Sequence, residues 1–232
     1  MKQLTVQRFK RVVRHPREVL AYHTKSFAAP VMQRVHRRLL ERRVNLDFLE
    51  QRPPEGYPPD FSDLWFLYQT VRRRKPRVIL EFGSGSTTVA LAQAVADNLA
   101  DDPHLESHVY SVDDQSFWAD VTRRILPAHL RTVCDVLHVP AVEVELYGQH
   151  SWRHIALPDV VPDFVHLDGP TFTPDRIIAV DILDMEKKLP RDFYMVIDGR
   201  ARNVWFLRKH LKRPFHFRDR IWYFNTIVTL KS

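Results

Sequence analysis

The 232 residues, 44% hydrophobic and 27% charged, suffice for one well-buried core, which sets aside a disordered or low-complexity chain and leaves one domain or a domain with an appendage. The lone cysteine, Cys134, excludes an intrachain disulfide framework and reads as a small buried hydrophobe. The net charge of +7 is uneven: residues 1–43 carry 12 Lys and Arg against Glu18 and Glu41, a net of +10, while the remainder carries −3, so the basicity belongs to an N-terminal arm.

In that arm, Arg8, Lys10, Arg11 and Arg14 interrupt any apolar run behind Met1, which reads against a cleaved signal. Nowhere do about 18 apolar residues run together as a spanning helix requires, so a cytoplasmic protein is expected, with a membrane periphery open to it through the arm. Over 31–44, Val31, Val35, Leu39 and Leu40 fall on one side and Arg34, Arg37, Arg38, Arg42 and Arg43 elsewhere, the pattern of a helix with a basic outer face. Such a face suits plain solvation or contact with an anionic membrane surface. Nucleic acid is disfavoured, because neither aromatic interleaving nor a recognition motif accompanies the charge. Four prolines within 52–60 then forbid helix or central strand and mark a boundary between an arm over 1–59 and a domain over 60–232.

Beyond the boundary, Leu64, Leu67, Tyr68 and Val71 form a helical stripe that ends in Arg72 to Lys75 and is stopped by Pro76. Strands and helices then alternate: strand 77–82, helix 87–99, strand 109–113, helix 117–126, strand 133–139 and strand 164–168. A helix opened by Thr173 and Pro174 and running to about Met185, strand 193–198 and helix 203–211 complete the series. Two strand-like runs over 215–230 with almost nothing between them must form a hairpin. The expected fold is α/β, doubly wound, with a mostly parallel seven-stranded sheet, a C-terminal antiparallel hairpin and a basic helical N-terminal arm.

The loop Glu81-Phe82-Gly83-Ser84-Gly85-Ser86-Thr87-Thr88 joins the first strand to its helix, where open parallel sheets hold ligands. Gly83 and Gly85 allow close approach of a flat ligand, and Ser86 and Thr87 are placed to cap the helix. A dinucleotide fingerprint is not met, since Thr88 stands at the third glycine position. An acid, Glu81, two residues before the first glycine suits a cationic ligand without phosphate. Here the sequence resembles the class I, Rossmann-like S-adenosylmethionine-dependent methyltransferases, whose first motif is acid-x-Gly-x-Gly, and in Gly-Ser-Gly-Ser-Thr it resembles their bacterial FGSGxST-type subgroup.

The resemblance implies that Glu81, Gly83, Ser84, Gly85, Ser86 and Thr87 line the cofactor. It also implies that Asp113, ending the second strand beside Asp114, accepts the ribose hydroxyls. The strand ends at Asp168 and Asp198, with Arg200, match the catalytic rim. The expected activity is methyl transfer from S-adenosylmethionine to an oxygen or nitrogen of a small-molecule or glycan-type acceptor. A non-catalytic protein of the same fold, docking on an anionic surface through its arm, is the alternative. Catechol-type members hold a divalent metal with carboxylates at the ends of the fourth and fifth strands, where Asp168 and Asp198 fall. Their amide ligand and lysine are replaced by Gly199 and Thr171, so a metal is not the favoured reading.

Overall fold

The computed structural model describes residues 16–171, 178–220 and 224–231, with side chains from residue 29 onward. Helix α1 (Pro16–Glu41) is followed by a 3₁₀ turn and by α2 (Phe61–Arg74). Asp60 caps α2 by accepting from the amides of Ser62 and Asp63, and Lys75 ends it in the left-handed conformation, before Pro76, which cannot continue the helix. The parallel core follows as β1 (Val78–Phe82), α3 (Ser86–Asp101), β2 (His108–Asp113), α4 (Ser116–Ile125) and β3 (Cys134–His138). Next come β4 (Ala141–Leu146), β5 (Gln149–His154), β6 (Phe164–Leu167), α5 (Asp181–Met185), β7 (Tyr194–Asp198), α6 (Ala201–His210), β8 (Phe215–Arg220) and β9 (Asn225–Leu230).

Seven strands form one sheet in the order β3-β2-β1-β6-β7-β9-β8, in which β9 runs antiparallel to both of its neighbours and the rest are parallel. Alternation along each strand builds two cores. Ile79, Val109, Phe164 and Val196 face α2, α3 and α4, and Leu80, Phe82, Val165, Leu167, Met195 and Ile197 face α5 and α6. The chain reverses its direction of winding between β1 and β6, which places a crevice at their C-terminal ends. Among the described residues no helix is long and apolar enough to cross a membrane.

Three features depart from the sequence reading. The expected arm does not stop at the prolines. The turn folds α1 back onto α2, where Gln33 Nε2 donates to Asp60 Oδ1 at 2.5 Å and Gln33 Oε1 accepts from Phe61 N at 2.7 Å. Leu40, Val44 and Phe48 accordingly share one core with Leu64 and Leu67. Secondly, β4 and β5, to which no element was assigned, form a separate antiparallel pair around Tyr147 and Gly148, both at positive φ, as a two-residue hairpin requires. Thirdly, the helix expected over 173–185 is confined among described residues to Asp181–Met185, its expected opening at Thr173 and Pro174 lying outside them. Ala179 instead makes a parallel bridge to Trp152, with Trp152 N donating to Ile178 O at 2.8 Å and Val180 N to Trp152 O at 3.0 Å.

Candidate active site

Glu81 stands under the glycine loop and is fully buried. Its Oε1 accepts from Thr87 Oγ1 at 2.5 Å and lies 3.3 Å from His166 Nδ1, while Oε2 accepts from Thr88 Oγ1 at 2.5 Å and Ser111 Oγ at 2.6 Å. A carboxylate offers about four acceptor positions, and all are taken. Glu81 therefore braces the loop from below, with its acceptor positions taken by protein groups. Burial pulls the His166 pKa down, but the hydrogen bond and charge of Glu81, with the charges of Asp168 and Asp198, outweigh it and leave the net shift upward.

The capping role expected of Ser86 and Thr87 falls to Thr88, whose Oγ1 accepts from Gly85 N at 2.9 Å. Thr87 is spent on Glu81. Among the described residues, buried Ser86 Oγ has no hydrogen-bond partner, and a side chain at Gly85 would meet nothing within 4 Å. A buried hydroxyl without a protein partner at a helix N-terminus is a polar group whose burial calls for an explanation.

Gly83 lies close against protein backbone. At φ +90°, its missing Cβ would sit 3.0 Å from Gly169 N and 3.1 Å from Asp168 C. From the other side, a Cβ on Gly169 would lie 2.6 Å from Gly83 N and 2.7 Å from Phe82 C, so the β1 and β6 loops touch backbone to backbone. Gly169→Ala must push two main chains apart. It is expected to cost about 3 kcal/mol in chemical denaturation, and a melting temperature equal to that of the parent would show that the contact is relaxed in solution.

Asp113 is 5% exposed, and burial, the leading influence, raises its pKa against the hydrogen bonds it accepts. Its Oδ2 accepts from Ser84 N at 2.9 Å and Ser84 Oγ at 2.6 Å, and its Oδ1 from Gln115 N at 3.0 Å. Three of its four acceptor positions are occupied. Asp114 Oδ1 accepts from Thr171 N at 2.8 Å and Thr171 Oγ1 at 2.9 Å, which ties the β2 loop to the β6 loop. Thr171 had drawn notice only as a replaced lysine.

Of the three residues assigned to the rim, Arg200 is 2% exposed, and its Nη2 donates to the carbonyls of Asp168, at 2.9 Å, and Pro170. It holds the β6 loop in shape across the cis Gly169-Pro170 bond. Asp168 opens to solvent at the floor of the crevice, crowded on most sides by protein. That crowding, with the like charge of Asp198, raises its carboxyl to about 7 against the pull of His166 and Arg200. Solvent access moderates the burial contribution, while the charge of Asp198 acts in the same direction. Asp198, half-buried, ends β7 opposite Asn225. Among the described residues no group of three or more His, Cys, Asp or Glu side chains is arranged to hold a metal ion.

No protein-family model matches the sequence, and no curated protein matches it. Solved structures do match in fold. The SAH-bound methyltransferase PaMTH1 of Podospora anserina aligns over 80% of this chain and 88% of its own, with TM-score 0.54 and 12% identity. A methyltransferase from Geobacter sulfurreducens aligns over 80% and 95%, with TM-score 0.51 and 14% identity. This chain has the Rossmann-like fold of the class I methyltransferases.

Proposed function

We propose that the protein transfers the methyl group of S-adenosylmethionine to an oxygen or nitrogen of a small-molecule or glycan-type acceptor. The observation that carries this reading is the orphaned Ser86 hydroxyl beside the open Gly85, at the point where the sheet reverses its winding. Ser86 Oγ and the amides opening α3 would hold the cofactor's polar end, and the remaining acceptor position of Asp113 would take a ribose hydroxyl. When bound, the sulfonium supplies an already activated methyl group. The chain then has to position the acceptor in line and, for a hydroxyl, hold a proton acceptor near it.

Asp168 suits that second task, since a carboxyl raised toward neutrality takes a proton better than an ordinary one. Asp198 keeps it raised, and Arg200 fixes its backbone. The same geometry supports a metal-free reading, in which the carboxylates face the acceptor directly. Full activity in the presence of a chelator is the result that goes with it.

Calorimetric titration with S-adenosylmethionine and S-adenosylhomocysteine tests the proposal. Both are expected to bind. Asp113→Ala is expected to weaken each by at least about tenfold, the weight of a hydrogen bond to a charged group, with a thermal melt to confirm that the loop survives. No heat with either ligand would remove the reading.

A further inference from the structure

The side of α1 turned away from the domain has no role in that chemistry. Gln33, His36 and Leu40 face inward: Gln33 bonds to Asp60 and Phe61, His36 Nδ1 lies 2.9 Å from Ser62 Oγ, and Leu40 is fully buried. On the opposite side, at helical spacings of four and three, stand Val31, Val35 and Arg38, with Arg42 in the turn just past the helix end. Val31 is 64% exposed and Val35 46%, and Met32, beside them, is 37% exposed. Arg34, Arg38 and Arg42 are exposed and make no ion pair among the described residues, whereas Arg37 is spent on Glu41 at 2.8 Å.

Uncovered valines and a methionine on one line with uncommitted arginines select their partner by chemistry. A second copy of this chain would bring arginine against arginine across the symmetry axis, and like charges oppose that pairing. A nucleic acid would satisfy the arginines and gain nothing from the apolar side chains. A bilayer carrying anionic lipids answers both. Short apolar side chains enter the interface, and arginine stems lie along it with their guanidinium groups among the lipid phosphates. The seven further Lys and Arg within residues 1–25 add charge of the same sign. We infer that the outward face of α1, built on Val31, Val35 and Arg38 and continued by Arg42 just past its end, docks the protein on an anionic membrane surface.

The full chain, without cofactor, is centrifuged with vesicles of phosphatidylcholine alone and of phosphatidylcholine mixed with phosphatidylserine. It is expected to pellet only with the mixed vesicles and to be released by high salt. Arg38→Gln with Arg42→Gln should bind them roughly 30-fold more weakly. Val31→Asn with Val35→Asn should bind roughly tenfold more weakly. All four positions face solvent, so both double variants should melt with the parent. Pelleting of the arginine variant at the parent level would overturn the inference by placing the contact elsewhere in the chain. A valine variant that pellets normally would reduce it to unspecific attraction of a polyanion, in which case duplex RNA would compete equally well. A dimer in lipid-free solution that the valine variant abolishes would assign the face to a second copy. Because no cofactor is present, none of these outcomes depends on the methyl-transfer reading.

Discussion

Replacing Glu81 by alanine is expected to cost about 3–5 kcal/mol of folding stability, the range for removing one partner of a buried ionic network. The carboxylate is the shared acceptor of Thr87, Thr88, Ser111 and His166, and its loss strands the buried hydroxyls of Thr88 and Ser111 and the buried imidazole. Glu81→Gln keeps the shape but loses the carboxylate charge and half of the acceptor positions, so it should fall between the parent and the alanine variant. Urea denaturation at neutral pH measures both. A cost below about 1 kcal/mol for Glu81→Ala, the level of an exposed ion pair, would mean that the network is dispensable.

The second large effect is on turnover. Asp168→Ala is expected to lower kcat by about 10²–10⁴-fold, the usual contribution of a positioned proton acceptor, with cofactor affinity nearly unchanged because Asp113 and the loop at Gly85 and Ser86 are left in place. The parent's kcat should fall as the pH drops through about 7, since Asp168 accepts a proton only when ionised. Stability runs the other way. A carboxyl raised in the folded state binds its proton more tightly there than in the unfolded chain, so folding loses stability as the pH rises from the ordinary carboxylate range to about 7. Asp168→Asn should therefore melt above the parent at pH values above that window and approach it below. Normal turnover in Asp168→Ala would remove the residue from the reaction.

The parallel core was legible because its signals are local. Val78 to Phe82 leads into glycines and then into an Ala- and Val-rich helix, and Lys75-Pro76 punctuates the end of α2. The hairpin of β4 and β5 also had a local signal that went unread, the alternation of Ala141 to Leu146 before Tyr147-Gly148. Burial of the arm was not legible in the same way. Leu40, Val44 and Phe48 look like a solitary helix stripe until the chain turns back, and the proline-rich stretch that suggested separation makes that turn. In the site, sequence placed Glu81, Asp113, Asp168 and Arg200 near one another, but their partners lie far apart along the chain. Whether an acid faces a ligand or a neighbouring hydroxyl depends on that pairing, and strand spacing does not carry it.

The backbone contact between Gly83 and Gly169 bears on how this protein and its relatives diverge. A side chain at either position is admitted only if the opposite loop retreats, so neither glycine is free to drift alone. Across descendants neither position should carry a side chain unless the two loops have moved apart. A lineage that has lost either glycine will have rebuilt the loops after both β1 and β6 in the same step.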